Sequence, residues 1–148
     1  MFKKYFGFSI ALFGIFIVDR FLKNWFLLNA AENFGGIFGL AFRLVKNPGI
    51  AFGLSFNQPL LIIITITIVI ILTGLLLNAC RSRRSWESIA LSLLLIGSIS
   101  NLIDRWRYGF VIDYIDVSWF TVFNIADCLI TVGVGILIFL ILRIKKAN

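Results

Sequence analysis

The chain has 148 residues, 60% of them hydrophobic and 14% charged, with a mean hydropathy of +1.00. Soluble domains are about one quarter charged and under half apolar, so one small water-soluble core cannot hide this much apolar surface. The net charge of +7 could suggest a nucleic-acid partner, but its distribution along the chain argues against one.

A helix needs roughly 20 apolar residues at ~1.5 Å rise each to cross a bilayer. Four runs qualify, at about residues 5–25, 60–79, 86–103 and 121–142. The first follows Lys3 and Lys4 and carries Asp19, Arg20 and Lys23 near its end in place of a small-residue cleavage site. It therefore reads as a retained helix and not as a cleaved signal peptide. Asp19 and Lys23 are spaced i, i+4 and can pair on one helix face, the plain role being to brace this helix against its neighbours.

A loop follows, about 28–58. Gly35, Gly36 and Gly39, mixed with Ile37, Phe38, Leu40, Phe42, Leu44 and Val45, predict short strands lying on the membrane. Glu32 reads as a solvated loop residue. Arg81, Arg83 and Arg84 fill the short link between the second and third runs, and Arg143, Lys145 and Lys146 follow the fourth. With an even number of spans, both termini and this link share one side, and the Lys/Arg bias makes that side cytoplasmic. Topology thus accounts for eight of the fourteen basic residues.

The third run opens with Glu87 in an ordinary helix-start position. Gly97 permits a close helix contact one turn before Asn101, Asp104 and Arg105, which share a face. Asp113 and Asp116 lie in the next connecting segment. The aromatic residues Trp106, Tyr108, Phe110, Tyr114, Trp119 and Phe120 suit anchoring at the outward interface. On the fourth run Asn124 and Asp127 form an i, i+3 pair, with Asp127 about one and a half turns inside the helix. Cys80 and Cys128 fall near opposite faces, too far apart to pair, and read as small apolar packing residues.

Five of the seven acidic residues, Asp19, Asp104, Asp113, Asp116 and Asp127, thus gather at the outward face. An ionisable group inside a span costs on the order of 2.5–3.5 kcal/mol, so such residues read as functional or as paired scaffold. The sequence contains no histidine, which removes Ser-His-Asp, Cys-His and HExxH chemistry. Two aspartates sharing a proton are the most economical catalyst left: one takes a proton from water and the other polarises a carbonyl. The residues alone do not choose between Asp104 and Asp113 as the partner of Asp127. A proton- or ion-coupled membrane carrier using Asp19 or Asp127 is the alternative from another class.

Taken together, VDRFLK (18–23), NPGIAF (47–52), GSISNLIDR (97–105), VID (111–113) and FNIAD (123–127) resemble the bacterial lipoprotein signal peptidases, the type II signal peptidases. The resemblance spans essentially the whole chain, 1–148, as one integral membrane peptidase domain. It implies a bundle of four transmembrane helices with a small extracytoplasmic β-sheet cradle between the first and second. Asp113 and Asp127 match the catalytic aspartates. Asp104 matches a supporting position, and Asp19, Lys23, Asn47, Asn101, Arg105 and Asn124 match positions that line or brace the site, with Gly97 in the same motif. The implied substrate is a diacylglyceryl-modified prolipoprotein, cut before its lipidated cysteine among the lipids of the bacterial cell membrane; the residues leave the oligomeric state open, with a monomer the simplest reading. No metal or organic cofactor is required. The chain departs from the common pattern at Arg20 (usually Gln), Pro48 (often Thr), Ile50 (usually small) and Ser100 (usually Gly). Of these, Pro48 stiffens the loop and Ile50 adds bulk.

Overall fold

The structure is a computed structural model that describes residues 2–30, 33–37, 39–49 and 57–147. Glu32, Phe38 and the segment 50–56, which includes Ile50 and the end of NPGIAF, lie outside the described residues. The chain runs α1 (Phe2–Leu28), β1 (Asn33–Ile37), β2 (Leu40–Asn47), α2 (Gln58–Arg81), α3 (Ser85–Tyr108), β3 (Val111–Val117), β4 (Val122–Phe123) and α4 (Ile125–Ala147).

Among the described residues three helices are long and apolar enough to cross a membrane: Gln58–Arg81, Ser85–Tyr108 and Ile125–Arg143. Their outer faces carry large bare side chains, such as Ile63 and Ile70 on α2 and Phe139 and Ile141 on α4. Helix α1 has 27 residues, about 40 Å of length, and it likewise exposes Phe6, Ile10, Phe13 and Phe21. Its apolar stretch is interrupted by Asp19, Arg20 and Lys23.

Helix α3 is the axis of the bundle. Among its buried residues Leu91, Leu94, Gly97, Asn101 and Asp104 recur every three or four positions, the spacing of one helical face. Toward the amino-terminal end of this face Leu91 and Leu94 pack with Ala79 of α2, against Leu72, Leu76, Ile130 and Leu137. Along this face α3 and α4 approach almost backbone to backbone. A Cβ on Gly97 would lie 2.5 Å from the Ala126 carbonyl oxygen, and one on Gly133 would lie 2.8 Å from that of Ala90. The helix stops at Gly109, which takes the left-handed conformation (φ 76°) and donates its N–H to the Arg105 carbonyl.

The four strands form one antiparallel sheet in the order β1-β2-β3-β4. The expected strands between the first two helices are therefore present, but they supply only half of the sheet. The other half comes from 111–117 and 122–123, which the sequence reading treats as a connection and as the start of the fourth helix. Helix α4 accordingly begins at Ile125 and not near residue 121. Thr121, Val122 and Phe123, two β-branched residues and an aromatic one, extend the hydropathic run without being helical.

Candidate active site

The polar residues meet where the carboxyl-terminal parts of α1 and α3 and the amino-terminal end of α4 reach the sheet. Strand β3 positions them by simple alternation. Val111 and Asp113 face a cavity of about 560 Å³ bounded also by Asn47, Asn101, Arg105, Phe123 and Asp127, while Tyr114 turns the other way, toward α1. Tyr114 is almost wholly buried, stacks on Phe26 at 5.1 Å and donates its hydroxyl to Asp19 Oδ1 at 3.1 Å. It is thus a scaffold residue and not the interfacial anchor expected, because it couples the sheet to α1. Burial beside Asp19 pushes its phenol well above the ordinary value, which keeps it a hydrogen-bond donor. Trp106 and Trp119, by contrast, are largely exposed.

Asp113 receives two amide donors. Asn47 Nδ2 reaches its Oδ2 at 3.0 Å and Asn124 Nδ2 its Oδ1 at 2.6 Å. The first follows from register. Val45 pairs with Asp113, so Asn47, two residues along, projects from the same face and meets it diagonally. A bulge just before Val45 sets this register, with Arg43 and Leu44 opposing Tyr114 alone. The Asn47 carbonyl oxygen is in turn held by the Gly49 N–H at 3.0 Å, which fixes which end of the amide faces Asp113.

Asp127 sits in the first turn of α4, not deep within it. Asn124 and Asp127 cap the helix reciprocally. The Asp127 N–H donates to Asn124 Oδ1 at 2.9 Å and the Asn124 N–H donates to Asp127 Oδ2 at 3.2 Å. The segment FNIAD is thus a helix N-terminus signature as well as a site motif. The second oxygen of Asp127 accepts from Asn101 Nδ2 at 2.8 Å.

Behind this pair lies a buried ionic cluster. Lys23 Nζ stands 2.7 Å from Asp104 Oδ2, 2.8 Å from Asn101 Oδ1 and 3.5 Å from Asp19 Oδ2. The i, i+4 pair of α1 is present, but Asp104 is the nearer partner of Lys23. Asp104 also accepts from Arg20 at 2.6 Å and from the Ile112 N–H at 3.3 Å. Arg105 donates from Nη2 to the Gly49 carbonyl at 3.3 Å. Sequence reasoning missed Ser100, whose hydroxyl donates to Asp19 Oδ2 at 2.5 Å, and assigned no partner to Arg20. A serine in an apolar helix and an arginine beside an aspartate carry no local signal of such contacts.

The remaining expectations find plainer places. Asp116 pairs with Arg43 across β2 and β3 at 2.6 Å, and Glu87 pairs with Arg84 at the start of α3 at 2.7 Å. Cys80 and Cys128 are unpaired, as expected, and both are exposed on the surface of the bundle. Pro48 accepts a hydrogen bond from Gln58.

Asp113 and Asp127 face one cavity with different surroundings. Burial, and after it the nearby charge of Asp127, raises the Asp113 carboxyl from its ordinary value to about 6, against the opposing pull of Asn47, Asn124 and Lys23. A carboxyl that holds its proton near neutrality beside another carboxylate can exchange protons with bound water.

Residues 11–143 match the family model described as signal peptidase (SPase) II. The chain belongs to the signal peptidase II family. It is 38% identical to the lipoprotein signal peptidase of Syntrophomonas wolfei over 132 residues, covering 86% of this chain and 87% of the relative. It is 37% identical to that of Buchnera aphidicola over 148 residues, covering 92% and 94%. A bacterial membrane enzyme solved by the in meso method at 2.3 Å resolution superposes with a TM-score of 0.83 at 31% identity, covering 96% of this chain and 92% of the other. A second such enzyme, solved at 1.9 Å, gives 0.77 at 32% identity. The chain is thus an integral membrane peptidase, and the carrier alternative falls away.

Proposed function

We propose that this signal peptidase II removes signal peptides from diacylglyceryl-modified prolipoproteins with an aspartic dyad of Asp113 and Asp127. Its lipoprotein signal peptidase relatives support the substrate class. The observation that carries the dyad is that each carboxylate lines one cavity while holding its own amide donor, Asn124 for Asp113 and Asn101 for Asp127. Asp104 is unsuited to the role. Arg20, Lys23 and the Ile112 N–H already occupy its oxygens, which makes it a fixed counter-ion.

In the proposed reaction a water lies between the two carboxyls. The ionised one takes its proton as the oxygen attacks the carbonyl carbon before the lipidated cysteine. The protonated one hydrogen-bonds the carbonyl oxygen and later helps to protonate the leaving amine. Asn47 and Arg105 border the same cavity and are placed to orient the peptide. We assign α1 as a fourth span, because its three charged residues are paired inside the bundle while its outer face is apolar. The Lys/Arg-rich ends then put both termini in the cytoplasm and the dyad near the outer surface.

The test is cleavage of a lipidated prolipoprotein by the purified enzyme, followed as a mobility shift. Asp113→Asn and Asp127→Asn should each lower turnover by about 10³-fold or more, and the double variant should be little worse, since the pair acts as one unit. Activity should persist in EDTA. Substantial turnover by Asp113→Asn, together with a dead but fully stable Asp104→Asn, would move the dyad to Asp104 and Asp127.

A further inference from the structure

Arg20 turns into the bundle, leaving its side chain only 20% exposed. Its Nη1 donates to Asp104 Oδ1 at 2.6 Å, to the Ser100 carbonyl at 3.1 Å and to Ser100 Oγ at 3.3 Å. The Ser100 hydroxyl then donates to Asp19. Two residues that depart from the family pattern, Arg20 and Ser100, therefore meet each other and tie together the two carboxylates of the buried cluster.

Charge and hydrogen counting show what this accomplishes. Asp19 and Asp104 are two anions with almost no solvent, and Lys23 is one cation. The lysine's three N–H groups face Asp19, Asp104 and Asn101 Oδ1. Without a second cation the surplus carboxylate would compete for the ammonium. Arg20 supplies that cation on the far oxygen of Asp104 and leaves Lys23 free to hold the Asn101 carbonyl. The other end of that amide then points at Asp127.

We propose that Arg20, anchored by Ser100, is a positioning residue that balances the buried charge behind the dyad and keeps Asn101 aimed at Asp127. This rests on the dyad proposed above. Its field is one of several at the site. Asp19 and Lys23 approach from α1, Asn101, Asp104 and Arg105 from α3, Asn47 from β2, Tyr114 from β3 and Cys128 from α4.

The test compares Arg20→Gln, Arg20→Lys and Ser100→Ala with the parent enzyme on a lipidated prolipoprotein across pH. Removing the positive charge makes the pair release its shared proton less readily. Arg20→Gln should therefore move the pH–activity bell upward by about half a unit. It should also lower kcat by about tenfold, with KM within about twofold. Arg20→Lys should return the bell to its original position. A Gln variant that loses thermal stability but keeps the parent kcat and bell would reduce Arg20 to scaffold and overturn the proposal. Should Arg20→Gln not fold, Ser100→Ala decides. It must lower kcat at unchanged KM, and an unchanged kcat overturns the proposal. Failure of the dyad itself would appear separately, as activity surviving in Asp113→Asn or Asp127→Asn.

Discussion

Asp104 and Asp113 are the same side chain on adjoining segments, and their surroundings give them opposite properties. Asp104 is held by two cations and a backbone N–H, whereas Asp113 receives only neutral amide donors. Raising the Asp113 carboxyl to about 6 has a consequence for stability. Its folded value lies above its unfolded one, so between about pH 4 and 6 the folded state binds more protons, and stability should fall as pH rises through this window. Two units correspond to on the order of 2–3 kcal/mol at most. Thermal unfolding in detergent across pH should show this decline in the parent and a flatter slope in Asp113→Asn. An equal slope in both would mean that Asp113 titrates normally. Asp116→Asn, by comparison, should change both cleavage and melting little, since its partner Arg43 is 45% exposed and exposed ion pairs contribute about 0–1 kcal/mol.

At the scale of elements, the precision of the site depends on how closely α4 lies against α3. Gly97→Ala would place its Cβ 2.5 Å from the Ala126 carbonyl and 2.8 Å from Ile130 Cγ1. The rigid backbone cannot yield to this, so α4 must shift and carry Asp127 with it. Overpacking of this kind costs about 1–3 kcal/mol, and a displacement of 1 Å can cost about 100-fold in rate. Gly97→Ala should therefore lose both stability and most turnover, while Gly14→Ala, with nothing within 4 Å of its added Cβ, should lose neither. Gly97 was legible in the sequence because small residues mark close helix contacts, and helices α2 and α3 because residues 58–80 and 88–103 are mostly apolar and carry no charge. The start of α4 was not. Hydropathy cannot separate a short apolar strand such as Val122–Phe123 from the first turn of an apolar helix, and only the Asn124–Asp127 capping geometry fixes the boundary. Tyr114 and Ser100 were hidden for a related reason. Their hydroxyls matter only because α1, which is remote in sequence, folds back to present Asp19.

For the whole molecule, the polar cluster explains why a chain so rich in lipid-facing side chains has one definite architecture. Helices in a bilayer gain little from burying apolar faces against each other, because lipid is as apolar as leucine. Close small-residue contacts can hold α3 against α4, but α1 reaches its neighbours chiefly through Asp19, Arg20 and Lys23. The same charges that interrupt its apolar stretch thus attach it to the bundle, which supports reading it as a fourth span. That reading fixes the orientation of everything else. Four spans place the α2–α3 link and both termini on one side, where Lys3, Lys4, Arg81, Arg83, Arg84, Arg143, Lys145 and Lys146 cluster. A reporter active only in the cytoplasm should therefore work when fused after Asn148 or inserted within residues 81–85, and should be silent at Asn33, the first residue of β1. A three-span arrangement with α1 lying along the surface would keep residues 81–85 and the carboxyl terminus in the cytoplasm but put the amino terminus outside with residue 33, so a reporter fused before Met1, active with four spans, would then be silent. Activity at Asn33 with silence at the other two positions would invert the orientation and put Asp113 and Asp127 on the cytoplasmic face.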